Sequence, residues 1–333
     1  ELATNDTFLL TVRPVNDPPS ITTITNRTIN EDTNTGPIPF TISDVDNPVA
    51  DLVLRATVLD TNSPGVVSTN QIVFGGSGSN RNVTITPNTN EFGRVVITLS
   101  VTDTSNATTS MAFTLMVNPV DDLPTLNTLT NLIVNEDSGT TLVPFSGVSS
   151  GAPNEIQNLG ILTSSSAPAI VPPPTVTYVS PNATGQLNVT PAANASGTVT
   201  ITVTVNDGGA SNNLVVRTFI VTVNPINDPP TLAAIDNQTV DEDTGVHSVT
   251  LMGITCGPPN ENQIVTNTAV SSNPSVVPHP TIAYNNPETN ATLRFTSLTN
   301  QVGVVTIMVT VNDGGTSNNI ATRTFTVTVN PVN

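Results

Sequence analysis

Three copies of one unit account for nearly the whole sequence. The segment Val15-Asn16-Asp17-Pro18-Pro19 returns as Val120-Asp121-Asp122-Leu123-Pro124 and as Ile226-Asn227-Asp228-Pro229-Pro230, then begins again at Val332-Asn333. The steps between Asn16, Asp121, Asn227 and Asn333 are 105, 106 and 106 residues. A period that long is one autonomous domain rather than the rung of a solenoid. Other landmarks keep the same phase: Glu31-Asp32, Glu136-Asp137 and Glu242-Asp243, then Phe8, Phe113, Phe219 and Phe325. The expected organisation is the last strand and linker of a preceding repeat over 1–19, then repeats over 20–124, 125–230 and 231–333.

Within each copy the apolar residues alternate with polar ones. Val199, Ile201, Val203 and Val205 share one face, as do Val305, Ile307, Val309 and Val311, and Val95, Ile97, Leu99 and Val101. Period two with one polar face is a strand lying on the surface of a sandwich. No segment sustains helical spacing, and 28 Pro with 20 Gly interrupt the chain every few residues. About seven short strands in roughly 100 residues describe an immunoglobulin-like antiparallel sandwich. An odd number of crossings puts entry and exit at opposite ends. The fold class expected is therefore all-β: three tandem seven-stranded immunoglobulin/cadherin-like β-sandwiches joined head to tail as a rod, its proline-bearing linkers bending little.

Composition narrows the chemistry. Twenty-five acidic residues against eight Arg and no Lys give a net charge of −17, which disfavours nucleic acid and anionic membranes as partners and favours cations. Without Lys there is no Schiff-base chemistry. His247 and His279 have no partner implied by the repeat, and Cys256 is alone, so neither a nucleophilic triad nor an internal disulfide is expected. The chain reads as non-enzymatic. No apolar run is long enough to span a bilayer, and the segment reads as an excerpt of a longer secreted or surface polypeptide. Gly75–Asn80 reads as a strand-connecting loop. Nine Asn-x-Ser/Thr triplets, from Asn5 to Asn290, are no more than a chain this rich in Asn, Ser and Thr produces by chance.

Strand direction decides where the acids fall. The loop after the first strand lies at the exit end of each unit, and the loops after the second and sixth strands lie beside the incoming linker. Asn16 and Asp17 then face Asp44, Asp46 and Asp103 at the head of the first repeat. Between repeats one and two, Glu31 and Asp32 gather with Asp121, Asp122, Glu155 and Asp207. Between repeats two and three, Glu136 and Asp137 gather with Asn227, Asp228, Glu261 and Asp313. Carboxylate and amide oxygens without His or Cys are the ligand set of Ca²⁺, and crowded carboxylates repel unless a cation lies among them. Two readings stay open from the residues alone: inter-domain Ca²⁺, or turns and caps at strand ends.

The acidic exit loop, the Asn-Asp-Pro linker, Asp44-x-Asp46 and the Asp207-Gly208-Gly209 loop resemble the calcium motifs of cadherin repeats. The whole unit is similar to the cadherin-like and immunoglobulin-like tandem repeats of large bacterial surface proteins. Repeats two and three carry Gly147–Glu155 and Gly253–Glu261 in place of the Asp-x-Asp loop, which leaves Asn154 with Glu155, and Asn260 with Glu261, to substitute. The resemblance implies seven-stranded sandwiches, calcium at the junctions, and an extracellular, cell-surface role in adhesion or as a stalk or filament. Further copies of the repeat are the expected partners, with residues 1–19 either a remnant of an earlier repeat or a donor strand that assembles fibres. The alternative function is a module whose loops bind a glycan or a surface protein.

Overall fold

Alternation of apolar and polar residues becomes strand wherever the sequence repeats it. A computed structural model describes residues 3, 6–59 and 65–333; the Asn5 triplet and parts of the expected preceding strand lie outside them. The chain divides into two compact units. The first comprises Glu1–Thr125, Val148–Gly160 and Asn206–Val215, and the second Leu126–Gly147, Ile161–Val205 and Val216–Asn333.

In the first unit, β1 (Ser20–Ile21), β2 (Arg27–Asn30), β3 (Ile38–Ser43), β4 (Val53–Leu59), β5 (Ile72–Ser77), β6 (Asn80–Ile85), β7 (Gly93–Thr102) and β8 (Thr108–Asn118) form two four-stranded sheets. Their orders are β1-β3-β6-β5 and β2-β8-β7-β4. Between the sheets lies a core in which Val83, Ile85, Val95, Ile97, Leu99, Val101 and Leu115 are wholly buried. Each such side chain contributes roughly 1.5–3 kcal/mol relative to exposure.

The first strand of this sandwich is divided between the sheets. β1 pairs antiparallel with β3, and after a crossing β2 pairs parallel with β8, Arg27 opposite Leu115 and Asn30 opposite Asn118. Asn26 sits at the crossing, where its side-chain oxygen accepts the Thr114 N–H at 2.8 Å. Because β2 and β8 run the same way, both end at one pole of the sandwich. Glu31 emerges there beside the outgoing linker, its N–H bonded to the Asn118 carbonyl at 2.9 Å.

The second unit uses the same plan. It carries β9 (Leu132–Asn135), β10 (Thr141–Ser146), most of β11 (Gly160–Ser165), β12 (Thr175–Thr177), β13 (Thr184–Val189), and most of β14 (Gly197–Asn206) and β15 (Leu214–Asn224). It continues through β16 (Gln238–Asp241), β17 (Val246–Met252), β18 (Thr266–Ser271), β19 (Thr281–Ala283), β20 (Asn290–Thr296), β21 (Gly303–Asn312) and β22 (Ile320–Asn330). The sheet orders are β10-β13-β12 and β11-β14-β15-β9, then β17-β20-β19 and β16-β22-β21-β18. The parallel pairings recur as β9 with β15 and β16 with β22. Asn131 and Asn237 repeat the crossing bond of Asn26, accepting the N–H of Ile220 and Thr326 at 2.9 and 2.8 Å. The alternating faces of β14 and β21 are buried as their period requires, and Phe219 and Phe325 are each 2% exposed.

Two local features differ from the sequence reading. Gly75–Ser77 are not loop but the end of β5, paired with β6 through Gly76 opposite Arg81, and the turn narrows to Gly78 and Ser79. Phe8, in phase with the buried Phe113, is 87% exposed, because residues 6–19 join no sheet in this chain. No helix among the described residues is long and apolar enough to cross a membrane.

Candidate cation sites beside the linkers

In the first unit the end of β2 meets the outgoing linker and two loops that follow it in sequence. Glu31 is 2% exposed; its Oε1 accepts the Val120 N–H at 2.6 Å and its Oε2 the Asn154 amide at 3.4 Å. The same Asn154 amide also donates to the Asn90 carbonyl. Asp32 adopts a left-handed backbone (φ 59°) and its Oδ1 accepts the Asn90 N–H at 3.1 Å, which ties the β2 exit to the loop before β7. Glu155 Oε1 accepts the Asp122 N–H at 3.0 Å, Gln157 donates to Asp121 Oδ1 at 2.6 Å, and Asn212 donates to the Asp121 carbonyl at 3.1 Å. Asp207, 3% exposed, accepts the Gly209 N–H at 2.9 Å on Oδ1.

What remains is a group of oxygens with no donor. Asp121 Oδ2, Asp122 Oδ2, Asn154 Oδ1, Gln157 Oε1 and Asp207 Oδ2 are buried and have no hydrogen-bond partner. Buried acceptors left unmatched are uncommon and call for a specific cause. The charges press on one another as well. Burial pushes the Asp121 carboxyl above its ordinary range, the charges of Asp207 and Glu155 push it further, and bonds from Ser211 and Gln157 only partly oppose them. Burial likewise raises Asp122, followed by the charges of Glu155, Asp32 and Asp121. Gly209 has no side chain where the Asp121 carboxylate lies, and a Cβ there would collide with it.

The second unit repeats the arrangement with one substitution. Glu136, 2% exposed, accepts the Ile226 N–H at 2.8 Å and the Asn260 amide at 3.1 Å. Asp137 (φ 58°) accepts the Asn194 N–H at 3.1 Å, and Glu261 accepts the Asp228 N–H at 2.7 Å. Asp313, 2% exposed, accepts the Gly315 N–H at 2.8 Å. The buried oxygens without a donor are here Asp228 Oδ2, Glu261 Oε2 and Gln263 Oε1. A cleft of about 450 Å³ opens over Glu136, Asn227, Asn260, Glu261 and Gln263.

At the head of the first sandwich, the Asp17 N–H bonds Asp46 Oδ2 at 2.7 Å and the Asn16 amide bonds Asp103 Oδ2 at 2.7 Å. Asp103 Oδ1 accepts the Ser105 and Ala107 N–H groups at 2.9 and 2.8 Å. Asp44 Oδ1 accepts the N–H groups of Asp46 and Asn47 at 2.8 and 2.9 Å, while its Oδ2 is buried without a donor. Burial acts to raise the Asp44 carboxyl, but these bonds outweigh it and hold it below the usual range. Asp46, Glu155 and Glu261 thus make one bond in common, each to the N–H of the linker residue Asp17, Asp122 or Asp228. That shared bond explains how a Gly-rich loop ending in Asn-Glu replaces Asp-x-Asp.

Gln157 and Gln263 are absent from the acidic pattern. Their signal was the recurrence of Asn-Glu-x-Gln at 154–157 and 260–263, which a search for charge passes over. Among the described residues no three Asp, Glu, His or Cys side chains converge into a metal cage. A cation held at these places would have to draw on amide oxygens beside the carboxylates. The unmatched oxygens near Asp121 supply that mixed, all-oxygen set, which fits Ca²⁺ and not a soft metal.

No family model matches this chain, and no curated protein sequence does. Among solved structures it is similar to the extracellular cadherin domains 1–5 of protocadherin gamma B2, at 13% identity over 96% of this chain and 61% of that one, with a TM-score of 0.50. Human CDH23 EC21-23 aligns at 15% identity over 93% of this chain and 100% of that one, with a TM-score of 0.47. The human desmocollin-1 ectodomain aligns at 14% identity over 94% of this chain and 59% of that one, with a TM-score of 0.35. The chain thus spans about three fifths of the length of the desmocollin-1 ectodomain and of the protocadherin gamma B2 domains 1–5. Its fold is that of cadherin-like tandem β-sandwiches.

Proposed function

We propose that this chain is a non-catalytic structural segment of an extracellular surface protein, an adhesin, stalk or filament, whose linkers are stiffened by Ca²⁺. The observation that carries this reading is the set of buried, donor-less oxygens on Asp121, Asp122, Asn154, Gln157 and Asp207. On binding, these residues, with Glu155, would draw together around the ion in the first unit, and Asp228, Glu261 and Gln263, with Asn227 and Asp313, in the second, since among the described residues no three acidic side chains already converge there. A bound divalent cation would neutralise carboxylates that otherwise repel across the linker. Glu31 and Glu136 would support the sites by holding the linker N–H groups and the Asn154 and Asn260 amides. A surface depression of about 640 Å³, lined by Pro144, Phe145, Ser146, Thr177, Thr184, Gly185 and Gln186, presents no charged side chain, in keeping with a non-catalytic role. Partners on this reading are further repeats of the same kind. The exposed apolar residues Phe8, Leu9, Leu10 and Val12 support pairing of that segment with another sheet edge.

The deciding experiment is thermal unfolding of the 333-residue chain in millimolar Ca²⁺ and in chelator, with small-angle scattering in both. A fall in melting temperature and loss of maximum dimension in chelator are expected. Identical melts and identical scattering would assign the acids to turns and remove calcium from the function.

A further inference from the structure

At three equivalent places a linker residue faces the aspartate that follows the sixth strand: Asn16 with Asp103, Asp121 with Asp207, and Asn227 with Asp313. In two of them the linker residue donates. The Asn16 amide bonds Asp103 Oδ2 at 2.7 Å, and the Asn227 amide, which bonds the Ser317 and Asp228 carbonyls at 2.9 and 3.2 Å, also reaches Asp313 Oδ2 at 3.3 Å and Oδ1 at 3.5 Å. In the third the same position is a carboxylate, and both Asp121 Oδ2 and Asp207 Oδ2 are left without a donor.

The two inner sites share several supporting bonds. Gln157 donates to Asp121 Oδ1 at 2.6 Å as Gln263 donates to Asn227 Oδ1 at 2.7 Å. Asn212 donates to the Asp121 carbonyl as Asn318 does to that of Asn227, at 3.1 and 3.4 Å. Gly209 and Gly315 each make room for the linker side chain. The sites differ at the neighbouring glutamate, where Glu155 Oε2 accepts the Ala152 N–H at 3.4 Å and Glu261 Oε2 has no donor, and at the linker side chain, where 227 presents an amide nitrogen and 121 an oxygen. Asp207 is 3% exposed, so water compensates little for its missing donor.

We propose that this exchange of donor for acceptor makes the linkers unequal: the one at Asp121 closes only around a divalent cation, whereas those at Asn16 and Asn227 are latched by an Asn–Asp hydrogen bond and bind a cation more weakly. The identity of the cation rests on the calcium reading above; the inequality rests on the hydrogen bonds alone. Ligand charge is one of the features that set Ca²⁺ affinity, and the Asp121 site has one carboxylate more at this position. The chain would therefore respond to calcium in two steps, the Asp121 linker first.

The test uses the intact chain and two reciprocal variants, Asp121→Asn and Asn227→Asp, each titrated with Ca²⁺ by calorimetry and melted in chelator. The wild type should show two classes of site whose dissociation constants differ by about tenfold or more. Asp121→Asn should abolish the tight class and raise the melting temperature in chelator. Asn227→Asp should add a second tight class and lower the melting temperature in chelator. Survival of the tight class in Asp121→Asn, or a chelator melt that it leaves unchanged or lowers, would overturn the proposal. If no variant binds Ca²⁺, the calcium reading falls, and the chelator melts still decide the inequality: opposite shifts sustain it, absent shifts defeat it.

Discussion

Glu31 and Asn154 lie 123 residues apart in sequence, yet Asn154 donates its amide to the buried Glu31 carboxylate at 3.4 Å. The parallel run of β2 and β8 delivers Glu31 to the linker, and the Gly-rich loop at 147–155 delivers Asn154 to Glu31. Glu31 also satisfies the Val120 N–H at 2.6 Å. Replacing it with alanine orphans that donor and removes one of the two acceptors of the Asn154 amide. Glu31→Ala should cost about 1–3 kcal/mol in urea denaturation with chelator present. A midpoint equal to the wild type would mean that solvent replaces these bonds freely.

Gly209 gives a test of the first site in which no ligand residue is substituted. A Cβ at 209 would strike the Asp121 carboxylate, so Gly209→Ala must displace the linker side chain or the loop. Losses of 10–100-fold in metal affinity are typical when a supporting group is disturbed, and a loss of at least about tenfold is expected at the tight site by calorimetry. The second site, built on Gly315 and Asn227, should keep its isotherm. Equal loss at both sites would show global unfolding and not a local displacement.

The core provides a contrast on one pair of strands. Phe219 on β15 is 2% exposed, whereas Ile133 on the parallel β9 is 71% exposed. Phe219→Ala opens a cavity the fixed sheets cannot close and should cost about 3–5 kcal/mol. Ile133→Ala should stay within about 0.5 kcal/mol of the wild type. Comparable losses in the two denaturation curves would show that the period-two face does not govern stability.

That period made the sandwiches legible: Val199, Ile201, Val203 and Val205 needed only their spacing to be placed inside. The placing of Glu31 beside the outgoing linker, and of Glu155 against the Asp122 N–H, was legible too, because strand direction alone fixes which loops share a pole. Gln157 and Gln263 were not, since a neutral amide in a loop adds nothing to a charge pattern. Nor could spacing show that Asp32 and Asp137 each commit an oxygen to the N–H of Asn90 or Asn194, or that Asn16 satisfies Asp103. Those outcomes depend on which atom is donor and which acceptor, and only side-chain geometry settles that.

Gln157 follows the same logic of donor and acceptor. Its Nε2 satisfies Asp121 Oδ1, while its Oε1 stands among the unmatched oxygens. Gln157→Glu keeps the shape, removes the donor and adds a negative charge beside Asp121, Glu155 and Asp207. Without a cation the repulsion grows, so the variant should melt below the wild type in chelator. With Ca²⁺ the added carboxylate is a stronger ligand than the amide it replaces, so calorimetry should show tighter binding and the gap in melting temperature should narrow. Weaker calcium binding in Gln157→Glu would place Gln157 outside the ligand set and leave it only the role of orienting Asp121.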